Sequence, residues 1–149
     1  MPNLTIGRTI DAPVDAVWTE LAHNFADIHV WNPGVAASRS TSDQVEGEGI
    51  TRHCDLKPFG AVEERVTGWH PGERLTVHIY ESAKLPIKEG VADFTLKDLG
   101  DGKTEVTVDY GYELKWWGRL MPGKSFTRLL ERGFGGLLSG LNKHVAASG

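Results

Sequence analysis

The chemistry most plainly offered by the sequence is a pair of opposite charges in apolar company. Arg52 alternates in phase with Ile50, Cys54 and Leu56, and Glu64 with Val62 and Val66. Reading Lys57-Pro58-Phe59 as a tight turn sets residues equidistant from it opposite one another, which pairs Arg52 with Glu64. Both then sit on the inward face of a sheet, where an unpaired charge is costly. Two readings follow. One is a structural ion pair inside the sheet. The other is a polar anchor in an otherwise apolar cavity, the usual make-up of a small-molecule pocket. The guanidinium fork suits a planar oxyanion, so the anchor would hold a ligand carboxylate, phenol or enolate.

Aromatic residues supply the next candidates. Tyr110 and Tyr112 fall on the inward face of the last strand, and Trp31 stands at the Asn32-Pro33-Gly34 break. Each has an apolar body and one polar atom, so each can line a cavity and donate a hydrogen bond, or simply pack the core. Phe126, Leu130 and Phe134 lie on the apolar stripe of the C-terminal segment and complete the candidate lining. Of six histidines, His23 and His29 flank Phe25. They are either solvated surface groups or an acid or base for an aldol-type cyclisation or dehydration. His70 falls in a turn, and His78 alternates with polar neighbours. His53 and Cys54 are adjacent on a strand and so point to opposite faces; with no second cysteine, no metal is expected. No organic cofactor is expected either, because no dinucleotide fingerprint, C-x-x-C, H-E-x-x-H or G-x-S-x-G motif occurs.

One motif match is discounted. Gly118–Ser125 satisfies the phosphate-loop pattern G-x-x-x-x-G-K-S. A working phosphate loop needs a parallel sheet and a later acidic strand, whereas the preceding strands read as hairpins and only one helix follows. Ser125 as the N-cap of that helix explains the residues sufficiently.

The elements that must position these groups can be read from period and punctuation. Leu4 to Ile10 predicts a strand with Gly7 as a bulge, Asp11 a helix cap, and Val14, Val17, Trp18 and Leu21 a helical stripe. A weaker helix covers Phe25 to Val30. Alternating segments near 34–42, 48–56, 61–69, 74–81, 90–98 and 103–114, separated by glycine turns, predict an antiparallel sheet with one apolar face. Phe126, Leu130, Phe134, Leu137, Leu141 and Val145 predict a final helix from Ser125 to Ala147. Glycines 133, 136 and 140 stripe one side of it, each costing up to about 1 kcal/mol relative to alanine. Close helix–sheet approach or space left for a ligand would compensate. The Trp116-Trp117 pair is expected to pack under the start of this helix; in a protein-interaction module it would be an exposed contact.

Composition narrows the class. The chain has 149 residues, 40% of them hydrophobic, and a net charge of -4. That length suits one domain, residues 1–149, burying about two-thirds of its unfolded surface. The acidic balance argues against a nucleic-acid partner. One cysteine forms no internal disulfide, and MPNLTIGRTI carries no long apolar signal. No apolar run reaches the roughly 18 residues of a membrane span, and the Gly136-x-x-x-Gly140 spacing is bracketed by Arg132 and Lys143. A cytoplasmic location is expected.

Several phrases together carry a resemblance. They are Ile10-Asp11-Ala12-Pro13-Val14-Asp15-Ala16-Val17-Trp18, Trp31-Asn32-Pro33-Gly34, Gly49-Ile50-Thr51-Arg52, Glu64-Arg65-Val66 and Trp69-His70-Pro71-Gly72-Glu73-Arg74-Leu75. In their order and spacing the chain resembles the Bet v 1/START-like superfamily, in its bacterial polyketide cyclase/dehydrase (SRPBCC) branch. The phrases span the first half; the second half agrees in pattern. The resemblance implies an α+β helix-grip fold, a curved seven-stranded antiparallel sheet around a long C-terminal helix, with two short helices after the first strand. It also implies an internal cavity for a hydrophobic or amphipathic, lipid- or polyketide-like molecule. It leaves open whether that cavity serves a carrier or a cyclase/dehydratase-like enzyme.

Overall fold

All seven expected strands form and join one sheet. The computed structural model describes residues 3–121 and 125–148. β1 (Asn3–Ile10) is followed by α1 (Val14–Trp18), a π-helical turn (Thr19–His23) and a 3₁₀ segment (Phe25–Val30). Then come β2 (Val35–Ser40), β3 (Thr51–Leu56), β4 (Ala61–His70), β5 (Arg74–Ala83), β6 (Ile87–Gly100) and β7 (Lys103–Leu114). A 3₁₀ turn (Gly118–Leu120) leads to α2 (Ser125–Ser148). The strand order is β1-β7-β6-β5-β4-β3-β2, antiparallel at every pairing. This is the curved helix-grip architecture, with α2 against the inner face.

Inward residues form the core by strict alternation: Leu75, Val77 and Ile79 on β5, and Val106, Val108, Tyr110 and Tyr112 on β7 are all buried. The β6–β7 hairpin closes through Gly100, Asp101 and Gly102, all at positive φ (80°, 53° and 70°). Two glycines make that run affordable. Curvature comes from bulges, which bend a strand and increase its twist. Gly7, the expected bulge, pairs regularly with Thr107. The irregularities lie instead in the β4–β5 register, between Glu63 and Glu64 and between Val66 and Gly68, in β2 between Val35 and Ala37, and in β6 between Ile87 and Glu89 and between Asp98 and Gly100.

Two local expectations change. Pro13, extended at φ -69° and ψ 158°, takes the N-cap of α1, so the helix starts too far along for Asp11 to reach its first amides. Asp11 instead meets Lys103 Nζ at 3.0 Å, and its backbone N–H donates to Asn142 Oδ1 at 2.7 Å, tying the end of β1 to α2. The helical stripe from Val14 also does not stay α-helical. It widens into a π turn, with Asn24 N–H donating to Thr19 O at 2.8 Å, and then tightens to 3₁₀.

The helix glycines separate by what faces them. A β-carbon at Gly140 would collide with the carbonyl oxygen of Trp31 and lie 2.8 Å from Pro33 Cδ, so α2 approaches that backbone as only glycine allows. Gly133 is exposed, with nothing within 4 Å. Gly133→Ala is therefore expected to stabilise the protein by about 0.5–1 kcal/mol, the gain in helix propensity. Gly140→Ala is expected to destabilise it despite the same gain. Urea unfolding of the two variants checks this; equal shifts would refute the close approach at Gly140.

Candidate functional site

The β3–β4 register pairs Arg52 with Glu64, as the turn geometry requires. Both are buried. Arg52 Nε donates to Glu64 Oε1 at 2.8 Å, and Nη1 donates to the backbone carbonyl of Phe25 at 2.8 Å. The guanidinium carbon lies 3.8 Å from the centroid of the Phe25 ring, a cation–π contact. Cys54, the next inward residue on β3, directs its thiol to Glu64 Oε1 at 3.5 Å. Burial pushes that thiol up to about 12, so it stays protonated and donates. The irregular helical segment makes this possible, because its 3₁₀ turn begins at Phe25 and brings that residue's carbonyl and ring to the charge.

Beside this pair lies a cavity of about 10 Å³, bounded by Leu21, Phe25, Ile28, Trp31, Arg52 and Leu137, among others. That is room for about one water. Phe25 also bounds a larger open groove of about 160 Å³ on its outer side, with His23, Asp27, Gln44, Val45 and Ile50. Phe25 is thus the wall between groove and interior.

Farther along the inner face, aromatic rings pack together. Tyr110 and Tyr112 stack at 5.6 Å, Tyr110 packs on Phe134 at 4.8 Å, and Phe126 meets Tyr112 edge-on at 5.7 Å. The Tyr112 hydroxyl lies 3.3 Å from Thr127 Oγ1. The Tyr110 hydroxyl is buried with no hydrogen-bond partner among the described residues, as is Trp31 Nε1. Burial raises the Tyr110 phenol above its ordinary range, and the Glu64 carboxylate raises it further. The phenol stays neutral, a donor rather than a base.

The candidate residues therefore form two groups. Trp31, Arg52 and Glu64 surround or adjoin the small cavity, while Tyr110, Tyr112, Phe126 and Phe134 make an aromatic cluster; Leu130 is half-buried against the core. The Glu64 charge links the groups through Tyr110.

The sequence matches the family described as polyketide cyclase/dehydrase and lipid transport over residues 1–146. The chain belongs to this family. Its fold is similar to that of a START superfamily protein from Mycobacterium smegmatis, with a TM-score of 0.84, 14% identity and 99% of each chain covered. It is similar also to the Zhui aromatase/cyclase from Streptomyces sp. R1128, with a TM-score of 0.79, 13% identity, and 97% of this chain and 93% of that one covered. The structure of Ara h 8.0201 is similar at a TM-score of 0.79, with 10% identity over 98% of each chain. At these identities the likeness is one of fold. A comparison with curated protein sequences found no match.

Against this family's interior, the other sequence candidates can be placed. His23 borders the outer groove, with Nδ1 2.6 Å from Glu46 Oε1 and its ring edge-on to Trp69. His29 Nδ1 meets Ser38 Oγ at 2.7 Å. Neither bounds the small cavity. Of the phosphate-loop pattern, Gly118–Leu120 is a 3₁₀ turn after an antiparallel strand, residues 122–124 lie outside the described residues, and Ser125, expected as the cap, is the first residue of α2 itself. Trp116 and Trp117 do not pack under α2; they are exposed. Phe25 is the residue that sequence reasoning missed. An aromatic between two histidines was a signal, but its reach to Arg52 is tertiary.

On the outer face, His53 pairs with Glu63 through Nδ1 and with Asp55 Oδ1 through Nε2 at 2.8 Å. The Glu63 hydrogen bond first, then Asp55, hold its pKa above the ordinary value of 6.5, against burial and the Arg39 charge. A raised folded-state pKa contributes stability that is fully present below 6.5 and is lost as pH rises through the raised value. The stability difference between the native protein and His53→Gln is thus expected to be largest in acid and to shrink with rising pH. Denaturant unfolding across that range measures it, and a difference that grows with pH contradicts the assignment.

Proposed function

We propose that the protein binds a small hydroxylated aromatic or similar amphipathic molecule, lipid- or polyketide-like, between the sheet and α2. In this reading residues 1–149 act as one cytoplasmic domain with a small-molecule partner. The observation that carries it is the Arg52–Glu64 pair, buried beside a cavity in an otherwise apolar interior. Glu64 already neutralises Arg52, so the pair offers an acceptor and donors together at no net charge. A phenol or enol can donate to the carboxylate and accept from the guanidinium, while a carboxylate ligand would meet Glu64 as a like charge. The neutral Tyr110 hydroxyl and Trp31 Nε1 add unspent donors. The ligand gains room by displacing Phe25 toward the groove, a shift paid by the ligand's own preference for the open state.

A second reading, cyclase or dehydratase-like catalysis in the same interior, is favoured by one observation. Tyr110 is a buried phenol that burial holds protonated, with its hydroxyl unpaired among the described residues, so it can donate to a reacting carbonyl oxygen.

A thermal-shift series with hydroxyaromatics, aromatic carboxylates and fatty acids tests the proposal, with native mass spectrometry of the purified protein to reveal a bound molecule. Hydroxyaromatics are expected to stabilise most, by about 2.7 kcal/mol at a hundredfold excess over Kd. The Arg52→Met/Glu64→Met double variant is expected to lose about tenfold or more in their affinity, the worth of a hydrogen bond to a charged group. No shift with any class sinks the binding reading. Turnover of a bound hydroxyaromatic precursor that Tyr110→Phe abolishes, with affinity retained, would favour the enzyme.

A further inference from the structure

An antiparallel sheet sorts its connections to two ends, and here the two ends carry opposite charge. β3, β5 and β7 all leave the sheet at one end. The turns at 57–60 and 84–86 and residues 115–121 lie there, bringing Lys57, Lys84, Lys115 and Arg119 and no acidic residue. The connections at the other end, residues 11–13, 41–50, 71–73 and 101–102, bring Asp11, Asp43, Glu46, Glu48, Glu73 and Asp101 and no lysine or arginine of their own. Among the described residues only Asp11 of these pairs with a lysine, Lys103 at the start of β7.

The basic end also exposes large apolar side chains: Trp116 and Leu120 at 75% each, Phe59 at 58% and Trp117 at 39%. These are held on a fixed surface. Lys115 N–H donates to Pro86 O at 2.7 Å and its Nζ to Ser82 O at 3.0 Å. Pro86 Cβ lies 2.7 Å from where a β-carbon of Gly118 would stand, and Leu85 Cδ2 lies 2.9 Å from that of Gly60. The 84–86 turn therefore touches both of the others. Beyond it, Arg119 Nη2 and Lys88 Nζ share one carboxylate, Glu113, at 4.0 and 3.8 Å, leaving positive charge in excess.

We propose that this end docks on an anionic lipid bilayer, with Trp116, Trp117, Leu120 and Phe59 seated among the headgroups and Lys57, Lys84 and Arg119 facing lipid phosphates. Indole rings settle at the headgroup level, where one part is apolar and another wet. Basic residues near an anionic leaflet each strengthen binding by roughly fivefold. The contact is peripheral, since no helix among the described residues is long and apolar enough to cross a membrane. A second copy of the chain is a poorer occupant, because two copies of this end would bring Lys57, Lys84 and Arg119 against like charges. The acidic opposite end would be repelled by the same leaflet, which orients the molecule.

Co-sedimentation and tryptophan fluorescence of the whole protein test this, using phosphatidylcholine vesicles with and without phosphatidylserine. Binding with a blue shift is expected on the phosphatidylserine vesicles and is expected to weaken with salt. Trp116→Ser/Leu120→Ser should cost roughly tenfold or more, the transfer of a buried apolar side chain. Arg119→Glu should cost roughly fivefold or more. These residues are exposed, and circular dichroism checks that the fold persists. Val45→Ser, an exposed apolar change at the acidic end, should leave binding unchanged. Absence of binding, indifference to phosphatidylserine, an equal loss in Val45→Ser, or self-association that Trp116→Ser/Leu120→Ser abolishes would each overturn the proposal.

Discussion

A buried guanidinium has to be satisfied, and much of this interior is arranged around that requirement. Leaving water costs an ionised group several kcal/mol even after relaxation. Arg52 recovers this from three directions: a carboxylate across the hairpin, a backbone carbonyl from the helical segment, and the face of a phenyl ring. The carbonyl and the ring both belong to Phe25, and the carboxylate to Glu64. The charge therefore couples the β3–β4 hairpin to the segment before β2, which the chain alone does not hold against it.

Two irregularities of the fold lie near this point. The β4–β5 register slips beside Glu64, and the helix after β1 passes through π and 3₁₀ geometry before delivering Phe25. A regular strand would carry less twist there, and an uninterrupted α-helix would use the carbonyls of its interior for its own ladder. Farther along the inner face the requirement changes. Tyr110, Tyr112, Phe126 and Phe134 fill space with rings, and α2 closes on Trp31 and Pro33 through Gly140. The interior is polar at one point, and its aromatic rings gather at another.

The Arg52–Glu64 pairing was legible because a short hairpin leaves little freedom of register: alternation set the face and the turn set the partner. The strands and α2 were legible for the same reason, since each carries its own period. Phe25 was not, because nothing local states which sheet residue a short helix will meet. Asp11 misled because a good capping residue only caps when the helix begins beside it, and Pro13 delays that start. Trp116 and Trp117 misled because large aromatic rings argue for burial by type alone, while Gly118 and Pro86 spend the available contact on the opposite side of the turn. Whether inward tyrosines leave a cavity or fill it depends on volumes that no pattern of residue types encodes.

The account's central claim is that the buried pair is kept for recognition, with stability as a constraint it must meet. Unfolding free energies of Arg52→Met, Glu64→Met and the double variant, measured without ligand, test this most directly. Each single variant strands a buried charge and should lose about 3–5 kcal/mol. The double variant, with two apolar side chains in place of the pair, should return to within about 1 kcal/mol of the native protein. A double variant as unstable as either single one would show that the pair holds the fold, and would contradict the claim.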